Sequence, residues 1–141
     1  MRTILVTGGA GFIGSHLVDA LVEAGDHVVV IDNLDDFYSP AIKRANMAPH
    51  AGKRNFRFCE GDITETDFLN RVFRENKFDK IVHLAARAGV RQSIQNPALY
   101  EKVNIGGTRN LLEAARTYGA GGFIFASSSS VYGINEKVPF A

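Results

Sequence analysis

Val6-Thr7-Gly8-Gly9-Ala10-Gly11-Phe12-Ile13-Gly14 sets glycines at 8, 11 and 14 between an apolar run and a helical pattern. A diphosphate rests against main-chain N–H groups only where no Cβ intervenes, and the partial positive charge of a helix N-terminus then favours the anion. In such a turn Gly8 allows the tight bend, Gly11 admits the pyrophosphate to the backbone, and Gly14 lets the helix sit close on its strand. Outward from the glycines, Thr3-Ile4-Leu5-Val6-Thr7 reads as a strand. Leu17, Val18, Leu21 and Val22 recur at helical spacing until Gly25. The next apolar run, His27 to Ile31, ends in Asp32. The whole is a βαβ unit with an acid about twenty residues past the glycines, where a carboxylate accepts the hydrogen bonds of a ribose diol. A strand-end turn residue is the plainer reading of the same aspartate.

The 141 residues are an ordinary single-domain length, and 45% apolar with 22% charged residues is the composition of a globular protein. A net charge of +1 gives no electrostatic case for nucleic acid or for an acidic membrane surface. One cysteine, Cys59, cannot form an internal disulfide and reads as a small buried hydrophobe. No apolar run reaches membrane-spanning length, no leader precedes the first strand, and no metal-ligand cluster stands out, so a cytoplasmic location is the default expectation.

Asn33 to Pro40 is polar and turn-rich, a loop at the carboxyl end of a strand where open α/β sheets bind ligands, and Ile42 to Met47 is a short helical stretch. Asn55 to Glu60 alternates as a third strand and leads into Gly61-Asp62-Ile63. Thr64, with Asp67 three residues on, reads as the N-cap of a helix whose buried face is Phe68, Leu69, Val72 and Phe73. Lys80 to Ala86 is a fourth strand, apolar enough to be covered on both faces, with His83 inside it as a satisfied core histidine. The loop Arg87 to Ser93 carries Arg87 and Arg91, each suited to a phosphate or carboxylate and each equally readable as a solvated surface charge. Asn96-Pro97 opens a long helix through Leu99, Val103, Leu111, Leu112 and Ala115 to Gly119. The Gly106-Gly107 pair inside it predicts a close approach. Gly122 to Ala126 is the fifth strand, and Ser127 to Ser130 follow it. Four hydroxyls there would exceed what a buried turn can satisfy without a polar ligand. The five runs predict a Rossmann-type doubly wound parallel sheet in the order 3-2-1-4-5.

Taken together, the glycines, Asp32, Asp62-Ile63, His83-Leu84-Ala85-Ala86, Asn104 and Ser127 to Gly133 resemble the extended short-chain dehydrogenase/reductase family. Within it the chain is most similar to NAD-dependent nucleotide-sugar epimerases and dehydratases, especially the UDP-glucuronate 4-epimerases, through Ala86 to Arg91 and Ser127 to Gly133. The resemblance implies that Gly8, Gly11, Phe12, Ile13 and Gly14 hold the pyrophosphate of NAD and that Asp32 and Asn33 meet the ribose. It implies that Asp62 and Ile63 border the adenine, that Leu84, Ala85 and Ala86 line the dinucleotide, and that Asn104 supports it. Ser128 matches the catalytic hydroxyl that bonds the sugar's reacting oxygen. Arg87, Arg91, Ser127, Ser129 and Ser130 become candidates for the UDP-sugar, although either arginine also suits the diphosphate. Sister decarboxylases carry a glutamate where this chain has Ser130, which argues for epimerisation through a transient 4-keto sugar.

The resemblance also implies a base, a tyrosine followed by a lysine three to four residues later, and residues 1–141 hold no such pair. Tyr132 is followed by Glu136-Lys137, at the wrong spacing. The expectation is therefore an NAD-binding portion that lacks the catalytic and sugar-binding parts, is silent on its own, and self-associates as a homodimer or larger species through the open edge of its fifth strand. A stand-alone NAD-binding module, a UDP-glucose 4-epimerase and a nucleotide-sugar dehydratase are the alternative readings.

Overall fold

Five parallel strands form one sheet in the order β3-β2-β1-β4-β5 in a computed structural model that describes residues 1–140. The strands are β1 (Thr3–Thr7), β2 (His27–Asp32), β3 (Phe56–Glu60), β4 (Lys80–His83) and β5 (Phe123–Phe125). This is the expected Rossmann-type order. In register, Leu5 lies beside Val29 and Ile81, and Thr7 beside Ile31 and His83.

Because side chains alternate along a strand, the unbroken apolar runs of β1 and β2 supply both faces of the sheet at once. On one face Leu5, Val29, Ile31 and Ile81 pack with Phe68, Leu69, Val72 and Phe73 of α3 (Thr66–Glu75) and Leu111 of α6 (Thr108–Tyr118). On the other, Ile4, Val6, Val28 and Val30 pack with Val18 and Val22 of α1 (Phe12–Glu23) and Met47 of α2 (Pro40–Met47). Each such side chain taken fully out of water contributes about 1.5–3 kcal/mol, so the central strands hold the sheet together.

Several expectations change. Thr64 does not cap α3, whose N-cap is Glu65; instead the Thr64 N–H and hydroxyl both donate to Asp62 Oδ1, at 2.8 and 2.7 Å. A carboxylate two residues back competes with the cap and wins. Part of the loop after β4 is helical, as α4 (Val90–Gln95). The long helix from Pro97 is split into α5 (Pro97–Tyr100), a π-helical segment (Glu101–Gly107) and α6. The close approach occurs at Gly107 alone, where a Cβ would stand 2.5 Å from Ile63 Cδ1; at Gly106 a Cβ would meet only Glu101 O, at an ordinary contact distance of 3.9 Å. Ladder pairing in β4 stops at His83, so Leu84 to Ala86 leave the sheet, and β5 is cut to three residues. Ser127 to Ser130 are exposed and Ser129–Tyr132 form one 3-10 turn, so no buried hydroxyls there call for a ligand.

Candidate functional site

The glycine turn is built from main-chain atoms. Gly8 has φ +71°, and a Cβ there would stand 2.7 Å from the Ala85 nitrogen, so both its conformation and its neighbour exclude a side chain. Its N–H donates to Ile31 O at 2.8 Å, which ties the turn to β2. Gly11 is the N-cap of α1 and accepts the first helical bond, from the Ser15 N–H at 2.9 Å. The N–H groups of Ile13 and Gly14 are thus left as free donors of the helix start, while the side chains of Phe12 and Ile13 turn outward into solvent. A Cβ on Gly14 would overlap the Gly8 carbonyl oxygen, so helix and turn touch there. The Phe12 N–H is aimed at the hydroxyl of Tyr38. Burial and then the charge of Asp32 raise the phenol above its ordinary range, against the pull of that N–H.

Asp32 ends β2 and closes the turn that follows it. It is buried, Oδ2 accepts from the Ala10 N–H at 3.1 Å, and Oδ1 accepts from the Leu34 N–H at 2.9 Å. The second bond closes a turn in which Leu34 takes φ +52°, unusual for a branched side chain. Each carboxylate oxygen keeps a further lone pair for a ribose hydroxyl. Asn33 donates to Asp62 Oδ2 at 2.9 Å, which joins the loops after β2 and β3. Burial pushes the Asp62 carboxyl up, but the donors of Thr64 and Asn33 outweigh it and the net shift is downward, so Asp62 is an anion at neutral pH.

Between these groups lies a cavity of about 340 Å³, lined among others by Gly8, Gly11, Asp32, Asn33, Asp62, Ile63, Leu84, Ala85, Ala86 and Arg87. Phe12, Ile13 and Gly14 follow Gly11 in the chain but are not among the residues that line the cavity. The lining residues not named as candidates include Phe37, Tyr38, Lys43 and Lys102. Of these Lys43 carried a readable signal, a lysine in a short helix beside the acid-ended strand. It is buried, donates to Asp35 O at 2.6 Å, and lies 4.6 Å from the centre of the Tyr38 ring.

Arg87 pairs with Asp35 at 2.5 Å, and its Nε is buried with no hydrogen-bond partner among the described residues. A buried donor without an acceptor is costly, and this one lies on the cavity wall. Asn104 does not line the cavity; its side chain accepts from the Arg87 N–H at 2.8 Å and donates to Arg87 O at 3.0 Å, a two-point clamp on the loop. Arg91 lies exposed on α4, away from Arg87. Ser127 to Ser130 also lie outside the cavity lining, and Ser128 Oγ accepts from the Ser130 N–H at 3.3 Å. The cavity thus gathers most of the cofactor-side candidates, but not Phe12, Ile13, Gly14 or Asn104, and neither Arg91 nor the serines. Among the described residues no group of acidic, histidine and cysteine side chains is arranged for a metal ion, and no helix is long and apolar enough to cross a membrane.

A family model described as GDP-mannose 4,6 dehydratase matches residues 5–141. The chain belongs to that family. It is 45% identical over 140 residues to UDP-glucuronate 4-epimerase 4 of Arabidopsis thaliana, across 99% of this chain and 32% of that protein. Among solved structures it is similar to the UDP-glucose 4-epimerase of Thermotoga maritima with UDP-glucose, at 42% identity and TM-score 0.83, over 96% of this chain and 41% of that one. It is also similar to the UDP-glucose 4-epimerase of Thermus thermophilus in complex with NAD, at 40% identity and TM-score 0.77, over 89% and 37%. This member of the GDP-mannose 4,6 dehydratase family therefore spans roughly a third to two fifths of the length of the relatives it matches.

Proposed function

We propose that the chain is the NAD-binding portion of a nucleotide-sugar 4-epimerase, with UDP-glucuronate as the sugar nucleotide. The observation that carries the reading is a cavity lined by Gly8 and Gly11 of the glycine turn together with Asp32 and Asp62, beside the N-terminus of α1. The residues present fit a dinucleotide: the pyrophosphate would take the donors of Phe12, Ile13 and Gly14, Asp32 the adenosine ribose, and Asp62 with Ile63 the adenine edge. When bound, NAD supplies the hydride acceptor and donor that inversion at a sugar carbon requires. Leu84, Ala85 and Ala86 would keep water from the dinucleotide, with Arg87 beside them on the cavity wall.

Identity to UDP-glucuronate 4-epimerase 4 supports the choice of sugar. Ser128 would bond the sugar's reacting oxygen, with Ser127, Ser129, Ser130 and Arg91 around the sugar nucleotide. The absent tyrosine–lysine pair leaves the proton transfers to groups outside residues 1–141, and this stretch alone is catalytically silent. The outer edge of β5, with Ile124 and Phe125 exposed, supports self-association, which light scattering measures. The test of the sugar is turnover of UDP-glucuronate and UDP-glucose by the full-length source protein. Preference for UDP-glucuronate is the expected result, and equal or greater turnover of UDP-glucose overturns it.

A further inference from the structure

His83 is almost wholly buried, lies among the candidate motifs, and has no task in the scheme above. Its two ring nitrogens meet two hydroxyls: Nδ1 is 2.6 Å from Thr7 Oγ1, and Nε2 is 2.8 Å from Thr108 Oγ1. Each threonine has a second partner. The Ala85 N–H donates to Thr7 Oγ1 at 3.3 Å, and Thr108 Oγ1 donates to Asn104 O at 2.5 Å.

Those outer partners fix the direction of every proton between them. Asn104 O only accepts, so the single hydroxyl proton of Thr108 is committed to it, and Thr108 Oγ1 must accept from His83 Nε2–H. At the other end Thr7 Oγ1 already accepts from Ala85, which leaves its proton for an unprotonated Nδ1. A proton on Nδ1 instead would leave the Thr7 hydroxyl facing two donors with its own proton unplaced. Neutral imidazole with the proton on Nε2 is the assignment that satisfies all four contacts. Burial acts in the same sense, pushing His83 down to about 4.

One end of this chain of bonds, Ala85, lies on the cavity wall, and the other, Asn104, stands behind Arg87. Thr7 directly precedes Gly8, and Ala85 is the residue that the Gly8 turn touches. Asn104 clamps the main chain of Arg87. We propose that His83 is a positioning residue for nucleotide binding: as the neutral Nε2–H tautomer it joins Ala85 and Thr7 to Thr108 and Asn104 in a one-way relay, which holds the loop after β4 at a fixed distance from the glycine turn. The effect on affinity rests on the nucleotide-binding reading of the cavity, whereas the relay itself does not.

The experiment uses the 141-residue chain and three measurements: the ring 15N chemical shifts of His83, hydrogen exchange at the amides of Ala85 and Arg87, and calorimetric titration with NAD. In the wild type His83 is expected to carry its proton on Nε2 alone from pH 6 to 8. Thr108→Val, which keeps the shape and removes the hydroxyl, is expected to disturb that tautomer and to speed exchange at Arg87. It is also expected to weaken NAD roughly tenfold, with Thr108→Ser restoring all three. A protonated or Nδ1–H His83 in the wild type overturns the relay without any variant. A folded Thr108→Val with altered tautomer and unaltered NAD affinity overturns the positioning role. Should the wild type bind no NAD, the nucleotide reading fails, and the exchange and 15N data still decide the relay. If Thr108→Val does not fold, Thr7→Val with Thr7→Ser as rescue takes its place, with faster exchange expected at Ala85.

Discussion

The two ends of the candidate site are built in opposite ways. At the glycine end the turn is fixed from below by the buried strands β1 and β2, from the side by Asp32, and from above by Ala85. At the serine end the segment follows a three-residue edge strand, and its four hydroxyls face solvent. The contrast teaches that a turn anchored on central strands is held by the core beneath it. A sugar site placed after the outermost strand depends on whatever covers that edge.

The sharpest way to break the comparison is Gly14→Val. In an open helix, replacing glycine stabilises, by up to about 1 kcal/mol for alanine. Here the side chain would overlap the Gly8 carbonyl, and a loss of about 3 kcal/mol or more is expected, with NAD binding abolished. Thermal unfolding and calorimetry read both. Next in size, Leu5→Ala is expected to cost about 2–5 kcal/mol in urea unfolding, because Leu5 is fully buried. Ile124→Ala on β5, where the side chain is 55% exposed, is expected to cost less than about 1 kcal/mol. Comparable losses at the two positions would mean that the edge strand is as firmly packed as the centre.

Acid sharpens the contrast further, since the deeply buried histidine belongs to the glycine end. The unfolded chain takes up a proton on His83 near 6.5, while burial delays uptake in the folded protein to about 4. The stability conferred by neutral His83 is present above 6.5, falls as the pH drops towards 4, and is flat below. The total change is about 3 kcal/mol at most. Urea unfolding at a series of pH values measures it, and a folded His83→Gln variant should flatten that part of the curve. Smallest of all, alanine at any one of Ser127 to Ser130 is expected to change stability by less than about 0.5 kcal/mol and to leave NAD affinity unchanged, as unfolding and titration of each variant would record.

Sheet order, the glycine turn and Asp32 were legible in the sequence because each rests on local pattern, apolar alternation or glycine spacing. What was not legible depends on contacts between distant segments. The π-helical segment ends at Gly107, which packs on Ile63 from more than forty residues away, and no spacing rule reports that contact. Thr64 was misassigned because an N-cap and a bond to the preceding aspartate share one sequence signature, and Asp62 decides between them. Arg87 and Arg91 look alike in sequence, yet the Asn104 clamp draws only Arg87 to the cavity wall while Arg91 rides outward on α4. In the serine cluster the expected burial is absent, so the density of hydroxyls is by itself no argument for a ligand there. His83 reads correctly from sequence as a satisfied core histidine, but its partners Thr7 and Thr108 come from β1 and α6.

The central claim is that the glycine end suffices to recognise NAD. Calorimetric titration of the 141-residue chain with NAD and with NADP tests it most directly. Asp32, a carboxylate buried beside the glycine turn with no arginine immediately beside it in sequence, should repel a 2′-phosphate. The account predicts saturable NAD binding, with NADP weaker by roughly tenfold or more. NADP binding as tightly as NAD, or no binding of either, would contradict it.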